Sequence, residues 1–125
     1  MASDAKVRAA AEMIKNAGIL IHGIGRADEM AVRRGLDETM IADLVQRGAI
    51  GEALGHYCNL QGDIVHITNS VGLQLNDLAG IGTVIAVAGG QRKAEAIVAI
   101  ARTGGQSVLV TDEAAARAIQ TIIKE

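Results

Sequence analysis

Three strand-to-helix loops and one apolar run hold the residues of this sequence that could do chemistry. The first loop is Ala88-Gly89-Gly90-Gln91-Arg92-Lys93. Glycines let a backbone approach an anion closely, and the start of a helix presents unpaired N–H groups carrying partial positive charge. Lys93 adds a point charge suited to phosphate. The plain alternative is a tight turn with Arg92 and Lys93 solvated, and the spacing matches neither the P-loop nor the dinucleotide GxGxxG pattern. The second loop, His22-Gly23-Ile24-Gly25-Arg26-Ala27-Asp28, is placed to line the same cleft. A lone GxG is a weak pattern, and His22 reads first as a satisfied polar group at a strand end.

Arg33 and Arg34 follow the short helix that this loop starts. Paired arginines suit bidentate grip on phosphate or carboxylate; the blander reading is a solvated helix C-terminus, where cations are favoured anyway. Glu52 stands in the apolar run Ala49-Ile50-Gly51-Glu52-Ala53-Leu54. It either points outward or accepts hydrogen bonds from ligand hydroxyls. His56, His66 and Cys58 have neither the spacing nor the number for a zinc site, and no nucleophile elbow is visible. The residues therefore assign no catalytic group, metal or cofactor.

The elements that must position these residues alternate between apolar bursts and amphipathic stretches punctuated by glycine. Val7, Ala10, Ala11, Ile14 and Ala17 fall on one face of a helix over 5–17, with Ser3 as its cap. Ile19-Leu20-Ile21 reads as a short buried strand. Short helices follow over 27–34 and 37–46, the latter with Met40, Ile41, Leu44 and Val45 inward. Segments 50–58 and 63–68 flank Asn59-Leu60-Gln61-Gly62, whose Gly-containing turn reads as a hairpin or tight reversal, and 70–78 holds at most a helical turn. Strand 83–88, helix 91–102 with Ala94, Ile97, Val98 and Ala101 on one face, strand 107–110, a cap at Thr111 and helix 112–123 close the sequence. Strand-helix repetition with short Gly-rich joints predicts a parallel α/β sheet flanked by helices, in which ligands bind beyond the carboxyl ends of the strands.

Length and composition bound the rest. The 125 residues suit one domain over 1–125, with 12 basic and 14 acidic side chains and a formal charge of -2. Such a balance gives no basic footprint for DNA binding by this chain. No apolar run approaches the roughly 20 residues that span a bilayer. A single cysteine precludes an intramolecular disulfide and suits the cytoplasm. Proline, Phe and Trp are absent and Tyr57 is the only aromatic residue, whereas usage of about 5% predicts some six prolines. That composition suggests an excised or engineered chain.

Four motifs in order, HGIGRADEMAVRR, GAIGEALGHY, IAVAGGQRKAEAI and VLVTDEAAA, make the sequence resemble the effector-binding domain of SorC/DeoR-type bacterial transcriptional regulators. The resemblance runs from about Lys6 to the end. It implies a Rossmann-like fold of the group that includes glucosamine-6-phosphate deaminase and ribose-5-phosphate isomerase, used for sensing rather than catalysis. It also implies repression of glycolytic genes and a phosphorylated sugar effector such as fructose 1,6-bisphosphate. Carried over by motif, Lys93 with Gly89 and Gly90 meets a phosphate, Glu52 holds sugar hydroxyls, and Arg33 or Arg34 helps hold the second phosphate end. The family's helix-turn-helix and the first half of its effector domain have no counterpart here, so the chain reads as the C-terminal part of that domain. Surface the missing half would cover predicts a homo-oligomer. The alternatives are a folded fragment that has lost its ligand and, further off, an isomerase- or deaminase-like enzyme.

Overall fold

Two sheets share one layer of helix. The computed structural model describes residues 5–68 and 73–124; the cap expected at Ser3 and the start of the turn expected at Ser70 lie outside them. The first sheet is parallel, in the order β1 (Ile19–Gly23), β6 (Thr83–Val87), β7 (Val108–Val110). Ile21 pairs with Ile85 across one joint and Val87 with Val110 across the other. Parallel strands need crossovers; between β6 and β7 the crossover contains α4 (Ala94–Ala101), and α5 (Glu113–Ile123) follows β7. The parallel α/β sheet expected from the repeated strand-helix pattern is thus present.

A second, antiparallel sheet of four strands extends the hairpin read at Asn59–Gly62. Its order is β2 (Gly25–Arg26), β3 (Ala49–Ala53), β4 (His56–Asn59), β5 (Ile64–Ile67). The reversal at Asn59–Gly62 joins β4 to β5, as predicted. Within 50–58, however, a further two-residue turn at Leu54-Gly55 makes a hairpin of β3 and β4. Both turn residues have positive φ, 55° at Leu54 and 81° at Gly55, which suits the right-handed twist of hairpin strands. Asn or Gly usually stands where Leu54 does, so the turn carries no sequence signature. Helices α2 (Ala27–Arg33) and α3 (Glu38–Gln46) bridge β2 and β3. Asp37 caps α3 by accepting from the Met40 amide at 2.8 Å. Leu44 is buried on that helix, but Val45 faces outward.

The core lies where α4 meets both sheets. Ala96, Ile97, Ala99 and Ile100 pack with Ala53 and Cys58 from one sheet and Val84 and Ala86 from the other. Because it has neighbours on both sides, α4 buries nearly its whole circumference rather than the single stripe predicted. A Cβ at Gly51 would stand 2.7 Å from the Ala96 carbonyl oxygen, so glycine is what allows α4 to approach β3 this closely. The helix begins at Ala94, later than predicted, after a 3₁₀ turn over Gln91–Lys93.

Other corrections concern ends and exposure. Asp112, not Thr111, caps α5, accepting from the Ala115 amide at 2.9 Å; the Thr111 hydroxyl is buried without a partner. A 3₁₀ turn falls at Leu75–Gly80. Helix α1 (Ala5–Lys15) forms, yet none of its residues is buried. Strand β1 forms too, but it alternates rather than being buried throughout: Leu20 and His22 face the core, while Ile19 and Ile21 lie 63% and 65% exposed. Alternation on a parallel strand means that one face of its sheet is uncovered.

Candidate functional site

At the carboxyl end of β1 the chain opens a cleft of about 370 Å³. His22, Gly23, Ile24 and Gly25 form one wall; Met30, Arg33 and Arg34 of α2 and its C-terminus form another; Glu52, Leu54 and Lys93 complete it. Local structure explains the convergence. The Gly25↔Glu52 pairing of β2 with β3 sets the carboxylate beside the loop that leaves β1. Helix α2 ends at Arg33, with the Arg34 amide donating to the Met30 carbonyl, which brings two consecutive guanidinium groups to the rim. The 3₁₀ turn after β6 ends at Lys93, which joins the lining.

Glu52 is the hub. It is 3% exposed; Arg34 Nη2 donates to its Oε2 at 2.9 Å, and the Gly55 amide donates to the same oxygen at 2.8 Å. The outward orientation weighed for Glu52 is therefore not the one found. A buried carboxylate requires partners of this kind. The second bond also restrains the strained Leu54-Gly55 turn, whose Leu54 lines the cleft with a left-handed backbone. Burial and the nearby Glu52 charge push the Tyr57 hydroxyl above the usual tyrosine value. That hydroxyl is buried and has no hydrogen-bond partner.

Arg33 and Lys93 have no ion-pair partner among the described residues, so the cleft has three cations against one carboxylate. That imbalance suits a dianion, and the volume falls within the roughly 300–1,000 Å³ of small-molecule sites. His22 is buried on the floor. Its Nδ1 lies 2.9 Å from the Gly23 carbonyl, which requires a proton there, and Nε2 is left to accept from Gln106 Nε2 at 3.4 Å. This is the satisfied polar group expected.

Of the six residues singled out in the sequence, Lys93, Glu52, Arg33 and Arg34 meet in this cleft, and Gly89 and Gly90 do not line it. The Gly90 amide donates instead to Asp112 Oδ2 at 2.8 Å, so the chain's own carboxylate occupies the N–H of the second loop glycine. Gly90 has φ of 97°, and its turn carries the chain round to Lys93. The His22–Gly25 loop lines the cleft as expected, whereas Leu54 and Met30 were not foreseen; only the hairpin and the start of α2 bring them there.

A second cavity of about 250 Å³ lies between α3, β3 and α4, lined by Arg26, Asp28, Arg92 and Glu95 among others. Its charges neutralise one another. Arg26 donates to Asp28 at 2.7 Å, holding that carboxyl below the usual range, and Glu29 lies 3.9 Å from Arg26 and 4.0 Å from Arg92. Both ring nitrogens of His56 are engaged, with Leu54 O and Gln74 Oε1, each at 3.0 Å. No group of three or more metal-ligating side chains occurs among the described residues.

Comparison with known proteins gives the family and the fold. Residues 1–121 match the family described as "Putative sugar-binding domain". The central glycolytic genes regulator of Priestia megaterium is 47% identical over 105 residues, which cover 84% of this chain and 31% of that regulator. Among solved structures, "the putative SorC family transcriptional regulator from Enterococcus faecalis" superposes with a TM-score of 0.87 at 36% identity, covering 94% of this chain and 48% of that one. A sugar-binding domain of a transcriptional repressor from Vibrio fischeri shares the fold, with a TM-score of 0.84 at 24% identity over 98% of this chain and 52% of that one. The chain thus spans about a third of the regulator it matches and about half of the solved domains.

Proposed function

This chain belongs to the sugar-binding domain family of bacterial transcriptional regulators, and on that premise we propose that its cleft binds a phosphorylated sugar without turnover. The observation that carries the reading is the meeting of Arg33, Arg34, Lys93 and buried Glu52 in one cleft. A phosphate dianion competes with Glu52 for Arg34 and draws in Lys93 and Arg33, since guanidinium groups hold phosphate in fork geometry. As Arg34 turns to the phosphate, Glu52 gains a lone pair for sugar hydroxyls while keeping the Gly55 amide. The Gly89-Gly90 loop serves by placing Lys93. Three cationic side chains against one carboxylate favour a bisphosphate, with fructose 1,6-bisphosphate the first candidate given the relative's role in glycolytic genes.

In this reading the chain is the C-terminal part of an effector domain, a single α/β unit over 1–125 that senses metabolite level for a cytoplasmic repressor, and DNA is bound elsewhere in the regulator. No described helix is long and apolar enough to cross a membrane. A second reading, a scaffold that folds without binding, is favoured by the chain's own Glu52 and Asp112 holding the Arg34 guanidinium and the Gly90 amide.

Thermal unfolding with added ligands distinguishes the two. A ligand that binds only the folded state raises its stability by RT ln(1 + [L]/Kd). The melting temperature is expected to rise with fructose 1,6-bisphosphate, less with fructose 6-phosphate and not with fructose, with the sugar recovered unchanged. Equal response to unphosphorylated sugar contradicts the proposal, turnover of the sugar phosphate returns the enzyme reading, and no response to any of them leaves the scaffold.

A further inference from the structure

Tyr57, the only aromatic residue of the chain, is fully buried, and its hydroxyl has no hydrogen-bond partner among the described residues. Its side chain forms one apolar cluster with Ala27 and Ala31 of α2 and Leu44 of α3. A ring without the hydroxyl would fill this place as well and would strand no buried donor, so packing does not explain the phenol.

An acceptor stands beside it. In the β3–β4 hairpin, Glu52 and Tyr57 are direct cross-strand partners. Such partners rise from one face of a sheet with Cβ atoms about 5 Å apart. Helix α2 covers that face, with Ala27 and Ala31 against Tyr57 and its C-cap Arg34 bonded to Glu52. Burial first, and then the Glu52 charge, hold the phenol proton, while the Arg34 charge opposes them; the hydroxyl thus stands in the field of this ion pair. His66, cross-strand from Tyr57 on the other side, lies against the ring with centroids 5.8 Å apart and takes no bond from the hydroxyl.

The two donors to Glu52 differ in freedom. The Gly55 amide is fixed in its turn, whereas the Arg34 side chain is 39% exposed and can swing out. A buried carboxylate that loses its cation is costly to leave without a partner, and a buried phenol calls for an acceptor. We propose that Tyr57 is the reserve partner of Glu52: when Arg34 leaves the carboxylate, the Tyr57 hydroxyl donates to it and holds it ionised. In ligand binding the phosphate is what draws Arg34 away, a step that rests on the reading of the cleft as a phosphorylated-sugar site. A carboxylate has about four acceptor positions, so the Gly55 amide and the phenol leave room for sugar hydroxyls. Tyr57, which does not line the cleft, is a positioning residue for Glu52.

Arg34→Met tests this without any ligand, and Arg34→Ala serves if the methionine variant fails to fold. Urea unfolding reads Tyr57→Phe in two backgrounds. With Arg34 present, the folding equilibrium constant is expected to stay level or rise; in Arg34→Met it is expected to fall by at least about tenfold, as a bond to a charged acceptor is lost. The same change in both backgrounds marks a phenol that only packs, and overturns the proposal. With one tyrosine and no tryptophan, the near-ultraviolet band reports the hydroxyl directly, because a phenol donating to a carboxylate absorbs further to the red. A red shift is expected in Arg34→Met and, on adding fructose 1,6-bisphosphate, in the wild type. No shift in Arg34→Met overturns the proposal, as does a shift that stays full when Glu52→Gln is added. A shift in Arg34→Met, with none from the sugar in the wild type, upholds the Tyr57 assignment and counts against the sugar-phosphate reading.

Discussion

Glu52 joins the fold to the cleft through a single oxygen, which accepts from the Arg34 guanidinium and from the Gly55 amide. Glu52→Gln keeps an acceptor for Gly55 and removes the charge; because Arg34 is 39% exposed, the loss is expected to be only about 1 kcal/mol. Glu52→Ala also strands a buried N–H, and about 2–3 kcal/mol is expected; urea unfolding of the two variants measures the difference. Cys58, on the neighbouring strand, is held in the opposite way. Burial first, and then the Glu52 and Asp63 charges, push its thiol from 9.0 to about 11. Thiolate in the folded protein is therefore about 100-fold scarcer than in the unfolded chain, and labelling by a thiol reagent in mildly alkaline buffer should slow at least as much. The folded state holds this proton more tightly, so the Cys58 contribution to stability is complete below pH 9.0 and is lost as pH rises towards about 11. Cys58→Ala is expected to remove that part of the alkaline slope. At this scale the sequence was informative about charge and silent about burial. Lys93, Arg33 and Arg34 announced themselves by type and by place after a strand or helix, whereas the inward turn of Glu52 depends on a hairpin at Leu54-Gly55 whose first residue gives no turn signal.

At the scale of elements, close approaches decide the architecture. Gly51→Ala places a methyl 2.7 Å from the Ala96 carbonyl oxygen, on backbone that moves only if α4 moves. A loss of about 1–3 kcal/mol is expected, read as a lower urea midpoint with an unchanged slope. Asp112→Ala removes the α5 cap and frees the Gly90 amide; about 1–2 kcal/mol is expected for the cap, with faster amide exchange at Gly90 and Ala115. The predicted strand-helix alternation is found because periodicity and glycine punctuation are local properties. Beyond the hairpin at Asn59–Gly62 the antiparallel sheet escaped, because β2 is only two residues long and β4, His56-Tyr57-Cys58-Asn59, has no apolar alternation to mark it. Its residues are buried by α4 and α2, a tertiary circumstance. Helix α1 shows the converse: its apolar stripe is clear in the sequence, but no described partner buries it.

For the whole molecule, the two surfaces of the parallel sheet have different fates. One builds a core with α4 and the antiparallel sheet, and the cleft stands at its edge; on the other, Ile19, Ile21, Val87, Val108 and Val110 are exposed among the described residues. The central claim remains the cleft. Calorimetric titration with fructose 1,6-bisphosphate, on the wild type and on Lys93→Ala, addresses it most directly. Lys93 has no ion-pair partner among the described residues, and its removal leaves the Glu52–Arg34 pair and the fold intact. Saturable heat in the wild type, weakened by at least about tenfold in Lys93→Ala in line with the loss of one charge-assisted contact, is the predicted result. Flat traces from the folded wild type, or identical affinity in the two proteins, would contradict the assignment of this cleft to a phosphorylated sugar.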